Sequence, residues 1–281
     1  MMQSSSSTRF NLNGVLYNSL PDPLEHYARA CTYGDGVFES IRMFSSTVPL
    51  WKYHYDRLMR SLHKLSITLP DITGPDALLN EIYKTASGNA RIRLMACRKP
   101  GGLYLPEQSD GLFLISASPS ADVSFPVHET GLSVSLSTKI QVPVDYFSGI
   151  KSLSAQRYVN AAMEARDRNL DDVILINSLE NVCESSTSNI FWIKNNQYFT
   201  IPGGEGQVHG VFQDFLRETM CKSGISVTEK PCTFASLLQA EEILLTNAVS
   251  GIRWIRQLDG TLKTGSTARL LTGLVNRELS L

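Results

Sequence analysis

Apolar residues recur along this chain in distinct rhythms, and those rhythms divide it into elements. Residues 11–18 alternate apolar and polar positions around Asn13-Gly14, the pattern of two strands joined by a two-residue hairpin turn. Residues 33–42 open with a turn bracketed by Gly34 and Gly36 and continue as strand-like alternation. Leu58, Leu62 and Leu65 recur at three- and four-residue steps, which predicts a helix over 52–65, and 76–86 predicts a second. Residues 91–98 and 112–117 read as strands. Farther on, 132–136 reads as a strand. Ser154 stands as the N-cap of a helix with Tyr158, Ala161, Ala162 and Ala165 on one face. A short buried strand is expected over 173–176, and more strand over 181–199, broken by a turn at Asn195-Asn196. Residues 211–222 predict a helix closed by Gly224. Strands over 225–228, 242–246 and 252–258 precede a last helix over 267–278.

Strands and helices interleave without strict βαβ regularity and without an internal repeat. The expected fold class is therefore α+β (mixed α/β), not a doubly wound sheet. Residues 118–126 are small and polar with two prolines, the composition of a linker. The expected organisation is a disordered tail over 1–10, a smaller N-terminal α/β domain over 11–117, and a larger C-terminal domain over 127–281 that carries Lys151.

Composition narrows the function. With 42% hydrophobic and 19% charged residues, the 281-residue chain reads as globular, and a net charge of −1 argues against a nucleic-acid binder. No apolar run approaches the roughly 20 residues that span a bilayer, and the Ser-rich start lacks signal-peptide regions, so a cytoplasmic location is the default expectation. The five cysteines form no CxxC pair, and the histidines fall into none of the usual zinc spacings. No metal site is expected.

One short string carries candidate chemistry: Ser148-Gly149-Ile150-Lys151-Ser152-Leu153, just ahead of the helix expected from Ser154. Lys151 is its only charge, bracketed by Ile150 and Leu153. An amine held in such an apolar bracket can condense with an aldehyde cofactor. A solvated surface lysine is the alternative, and Lys139 is the nearest competitor for the role.

Four strings together resemble the class IV aminotransferases, the fold-type IV family of pyridoxal-phosphate (PLP) enzymes. They are Tyr33-Gly34-Asp35-Gly36-Val37-Phe38-Glu39, His54-Tyr55-Asp56-Arg57-Leu58, Lys151-Ser152-Leu153, and Glu184-Ser185-Ser186-Thr187-Ser188-Asn189-Ile190-Phe191. A fifth, Leu245-Thr246-Asn247-Ala248-Val249, resembles the family's late phosphate turn. The resemblance runs from about residue 10 to the end of the chain. It implies a two-domain architecture with PLP between the domains, and a homodimer in which the partner completes the substrate pocket. The family includes branched-chain and D-amino-acid aminotransferases and aminodeoxychorismate lyase.

The resemblance also implies roles. Lys151 would hold PLP covalently and shuttle the substrate proton, and Glu184 would pair with the pyridine nitrogen. Arg57 would grip the phosphate by a forked contact, aided by backbone N–H groups of Val211 and Phe212 at a helix start and of Asn247 and Ala248 at a turn. Arg98 is the candidate for the substrate carboxylate, with Tyr33, Ser40 and Tyr104 near the substrate. For these residues the alternatives are a solvated strand-end carboxylate at Glu184, an exposed helix arginine at Arg57, and aromatic core packing at Tyr33 and Tyr104. The chain departs from the family pattern in two places. Phe212 and Gln213 stand where many members carry Thr and Arg, and Leu103 stands near an arginine of the lyase-like members. Transamination between an amino acid and a 2-oxo acid is the expected function. The alternatives are an aminodeoxychorismate lyase that releases pyruvate, and a binding module without catalysis.

Overall fold

The computed structural model describes residues 9–20, 22, 26–70 and 74–281. The chain divides into two compact units, one made of 1–123 with 151–154, the other of 124–150 with 155–281.

In the first unit, β1 (Arg9–Leu12) and β2 (Val15–Tyr17) form the hairpin, turning through Asn13 and Gly14 at φ 50° and 89°. Positive φ at both central residues matches a turn with the twist of the flanking strands. Helix α1 (Ala28–Tyr33) leads into β3 (Gly36–Met43). Helices α2 (Trp51–Lys64) and α3 (Pro75–Thr85) follow, then β4 (Ala90–Arg98) and β5 (Gly111–Pro119). Among the described residues the five strands form one antiparallel sheet in the order β2-β1-β5-β4-β3. Helix α2 packs on β3, and α3 packs on β5 and β1. The helices bring the buried Leu58, Leu62, Leu78 and Ile82 to this packing. Alternate β3 residues Val37, Ile41 and Met43 are buried too. Glu39 shares their phase and is therefore a charge on the core-facing side of a strand.

In the second unit, β6 (Leu132–Val142) and helix α4 (Gln156–Asp167) precede β7 (Asp172–Asn177), β8 (Val182–Ser185), β9 (Asn189–Lys194) and β10 (Gln197–Thr200). Helix α5 (Val211–Lys222), β11 (Val227–Glu229) and the short α6 (Phe234–Leu238) follow. Strands β12 (Glu242–Asn247), β13 (Gly251–Leu258) and β14 (Thr261–Leu262) lead to α7 (Ser266–Glu278). The sheet runs β11-β10-β9-β12-β13-β6-β7-β8, with β14 on β13. Its β13–β6, β6–β7 and β10–β11 pairs are parallel and the rest antiparallel, so the fold is mixed α/β. Among the described residues no helix is long and apolar enough to cross a membrane.

Several expectations need correction. Residues 1–8 lie outside the described residues, but Arg9 and Phe10, expected in the tail, belong to β1. Strand β5 runs on to Pro119, into the first residues of the expected linker, while the division after Val123 falls within the expected 118–126 stretch. Asp122 is tied to the first sheet by Arg42 Nη1 at 3.0 Å, which explains why that stretch stays with the first unit. Lys151–Ser154 groups with the first unit, although it was expected within the C-terminal domain. Ser154 is not an N-cap: α4 starts beyond Ala155, and the Ser154 hydroxyl donates to the Tyr33 carbonyl at 3.4 Å. Ala162 faces solvent while Ala161 and Ala165 are buried.

Strand β6 has a break in its pairing with β7 between Leu136 and Gln141, and Glu164 of α4 fills it. Its carboxylate accepts from Ser137 Oγ at 2.6 Å, from Thr138 N at 2.8 Å and from Arg168 Nη1 at 2.8 Å. Burial alone would raise this carboxyl, but those donors hold it down at about 2. A carboxyl depressed on folding adds stability above its ordinary value of 4.5 and loses that contribution as pH falls toward about 2. Glu164→Gln is therefore expected to lower the melting temperature at neutral pH, with the gap from wild type closing as pH drops through that window. Thermal melts of both proteins across the window test this; a gap independent of pH would refute it.

Candidate active site

The segment carrying Lys151 is extended and pairs with the start of β3. Phe38 N donates to the Lys151 carbonyl at 3.0 Å, Leu153 N donates to the Gly36 carbonyl at 3.0 Å, and Ser152 bridges Val37 in antiparallel fashion. Glycine makes this approach possible. Gly34 has φ +65°, and a Cβ there would lie 2.3 Å from Ser154 Oγ. Leu153 packs with Leu12, Tyr27 and Cys97, anchoring the segment from its apolar side. Lys151 Nζ then stands 4.6 Å from the centroid of the Phe38 ring, and Arg93 Cζ stands 5.0 Å from the same centroid.

Across β3 from Phe38 lies a buried ionic group. Glu39 Oε1 accepts from Arg57 Nε at 2.8 Å, Oε2 accepts a short bond from Arg57 Nη2, and His54 Nδ1 lies 2.7 Å from Oε2. All three residues are at most 6% exposed. Burial would raise the Glu39 carboxyl, but the Arg57 charge and the two sets of hydrogen bonds hold it at about 2. Burial pushes His54 down, and the Arg57 and Lys151 charges push the same way against the attraction of Glu39. The histidine is therefore neutral. Because a carboxylate only accepts, Nδ1 carries the proton, and Nε2 is buried without a partner. The Nε–Nη2 edge of Arg57 is occupied by Glu39.

Arg98 is likewise engaged inside the first unit. Its nitrogens donate to Asp35 Oδ2 at 3.0 Å, to the Ser66 carbonyl at 2.9 Å and to the Leu65 carbonyl at 2.7 Å. Arg29, which sequence reasoning passed over, donates to the same Asp35 oxygen at 2.8 Å and to the carbonyls of Gly101 and Leu103 at 3.0 and 2.6 Å. Two buried guanidinium groups on one carboxylate thus pin the loop after β4. Tyr33 and Tyr104 meet at 5.5 Å between centroids, and Tyr104 is 91% exposed, which removes core packing as its explanation. Ser40 is half-buried and faces Arg93 across the β3–β4 register.

The second unit presents a different carboxylate. Glu184, buried in β8, accepts from Tyr158 Oη at 2.7 Å and from Val208 N at 3.2 Å to each oxygen. Its burial removes the solvated strand-end alternative. Burial, and then the Glu184 charge, raise the Tyr158 hydroxyl far above its ordinary range, so it stays protonated and donates. Sequence reasoning missed Tyr158 because an aromatic on the inner face of a helix reads as core. Helix α5 starts at Val211 after Gly210, with no side-chain cap on its first turn. Phe212 turns its ring into the core against Phe125, 5.1 Å between centroids, so only its backbone N–H is available to a ligand. Asn247 donates to Ser188 Oγ at 3.0 Å, and its Oδ1 accepts from Val249 N and Ser250 N at 2.9 and 2.7 Å. Ala248 lies within that turn, half-buried.

Comparison with known proteins places these features in context. A family model described as amino-transferase class IV matches residues 36–258. A protein of Methanocaldococcus jannaschii assigned as a branched-chain-amino-acid aminotransferase is 29% identical over 257 residues, covering 89% of this chain and 87% of its own. An aminodeoxychorismate lyase of Vibrio harveyi is 27% identical over 232 residues, covering 80% and 83%. Among solved structures, an aminotransferase from Brucella abortus bound to the cofactor PLP matches with a TM-score of 0.83 at 19% identity, covering 98% of this chain and 99% of that one. At that identity the likeness speaks to the fold.

Removing Glu39 while leaving Arg57 buried tests the ionic group. Glu39→Ala is expected to cost about 3–5 kcal/mol in urea unfolding, because it strands a desolvated guanidinium. A loss below about 1 kcal/mol would mean that the pair behaves as a solvated surface pair.

Proposed function

The chain belongs to the class IV aminotransferase family, and on that premise we propose that it is a PLP-dependent aminotransferase that moves an amino group between an amino acid and a 2-oxo acid. The observation that carries the reading is Lys151, held by strand pairing over Phe38 rather than left as a solvated surface lysine.

The residues present fit the cofactor. An aldehyde needs an ordered amine, a ring nitrogen needs a buried carboxylate, and a phosphate needs backbone donors. Lys151, Glu184 and the uncapped start of α5 have those characters. Bound PLP supplies an electron sink for the charge left when a substrate carbon loses its proton. Lys151 Nζ would be the amine that holds the cofactor, and as a neutral amine it would be the base that takes up a proton from the substrate's Cα. Glu184 offers its carboxylate to the ring nitrogen, and Tyr158 fixes the carboxylate's orientation. The N–H groups of Val211, Phe212 and Ala248 serve the phosphate. Arg57 would lend its positive charge to the phosphate, as the family resemblance implies, with Glu39 fixing its Nε–Nη2 edge. Tyr33, Ser40 and Tyr104 remain candidates for the substrate side. Arg98 shapes that side through Asp35.

Two features support the finer choices. The side chain of Leu103, near the position of the lyase-like arginine, is 76% exposed and brings no charge, which favours transamination over the lyase reaction. The same loop tip exposes Leu103, Tyr104 and Leu105 in a row while Arg29 holds its base, an arrangement that suits a homodimer.

Wild-type protein incubated with PLP is expected to show a yellow absorbance band that borohydride abolishes, and Lys151→Ala is expected to lack it. Amino acid and 2-oxo acid together should give ping-pong turnover, reduced roughly 10^3-fold or more in Lys151→Ala. Pyruvate release from aminodeoxychorismate without an amino acceptor would instead establish the lyase. Absence of the band in wild type would sink the enzyme reading.

A further inference from the structure

The loop over 205–210 touches Glu184 and leads into the start of α5, two of the places in the second unit to which the proposed function gives a cofactor role. Its Val208 N–H donates to both Glu184 oxygens at 3.2 Å. Its last residue, Gly210, is the N-cap of α5. Val208 also forms a parallel bridge with Gly149, and His209 N donates to the Gly149 carbonyl at 3.2 Å, two residues before Lys151 in the chain. What fixes this loop is a set of asparagines. Asn177 and Asn181 donate to the Glu205 carboxylate at 2.7 and 3.1 Å and hold the loop's start. Asn189, first residue of β9 and 7% exposed, donates from Nδ2 to the Val208 carbonyl at 2.9 Å.

Asn189 also meets the loop's end. A Cβ on Gly210 would lie 2.0 Å from Asn189 Oδ1, so the carboxamide fills the space that glycine leaves. One buried side chain thus holds the carbonyl of the residue whose N–H faces Glu184 and packs on the residue that opens the phosphate-side helix. The Val208 carbonyl and the His209 N–H share one rigid peptide plane, so moving that carbonyl also re-aims the N–H that donates to Gly149, and Val208's own N–H follows through a single residue.

We propose that Asn189 is a positioning residue that locks the 205–210 loop, so that the backbone donor to Glu184 and the start of helix α5 are held in one fixed relation. This rests on the cofactor reading above. Asn189 touches neither cofactor nor substrate and acts through Val208 and Gly210.

The test uses Asn189→Ala, which removes the donor, and Gly210→Ala, which pushes the carboxamide away from the other side. Cofactor-free proteins are first compared by amide hydrogen exchange. Val208 N–H is expected to be protected in wild type and to exchange at least about tenfold faster in both variants, as for loss of one buried hydrogen bond. With PLP added, both variants are expected to bind about tenfold more weakly or worse. The midpoint of the bound cofactor's absorbance change with pH should also move, because the carboxylate facing the ring nitrogen is no longer fixed. A residue that serves only the fold would lower the melting temperature and leave the midpoint and the affinity of the folded protein unchanged. Folded variants with wild-type Val208 protection, affinity and midpoint overturn the proposal. Failure of both variants to fold overturns it too, since Asn189 would then belong to the fold and not to the site. If wild type binds no PLP, the cofactor reading fails, while the exchange comparison still decides whether Asn189 holds the loop.

Discussion

Two backbone hydrogen bonds hold the segment that carries Lys151: Phe38 N–H to the Lys151 carbonyl and Leu153 N–H to the Gly36 carbonyl. They bridge a short segment to β3, the edge of a five-stranded sheet, and fix where the lysine's Cα stands. The segment is too short to be ordered by itself, because fixing each residue costs about 1–2 kcal/mol of backbone entropy. Leu153 offsets that by burying itself in the apolar cluster around Tyr27 and Cys97. Gly34 removes the side chain that would block the approach at Ser154. The glycine-bracketed turn ahead of β3 therefore makes room for another piece of chain, which is a different purpose from cradling a phosphate with its own backbone.

The chain buries two carboxylates near the residues given roles here, and it treats them differently. Glu39 is matched by the Arg57 guanidinium and the His54 N–H, a compensated group whose work is internal. Glu184 receives a hydroxyl from Tyr158 and an amide from Val208. A buried carboxylate attracts a cation strongly, which is the property a protonated ring nitrogen calls for. Arg57 is fixed by its pairing with Glu39, its Nε and Nη2 both donating to that carboxylate.

Much of this was readable before any coordinates, for physical reasons that also mark the limit. Helices such as Trp51–Lys64 and Val211–Lys222 are long enough for their apolar stripe to show, and the Asn13-Gly14 and Asn195-Asn196 turns announce themselves through residues that tolerate positive φ. The helices Ala28–Tyr33 and Phe234–Leu238 are too short to display a period. Ser154 has the chemistry of a cap, yet its hydroxyl answers a carbonyl 121 residues away, a competition that local pattern does not register. Arg57 and Glu39 lie 18 residues apart on different elements, so their pairing was hidden although both stood within recognised strings. Tyr158 and Asn189 were visible as residues and silent as to role, because each acts through a partner that only the folded chain supplies.

The grouping of Lys151–Ser154 with the first unit has a further consequence. The backbone passes between the units after Val123, again at Lys151, and again after Ser154. No single cut separates them. A gene split in the 118–126 stretch would yield a first half without its lysine-bearing strand, and a second half with four residues cut off from the sheet they pair with. The two units have to be inherited, expressed and evolved as one piece, and a circular permutant or a domain swap with a relative would have to respect three crossings instead of one linker.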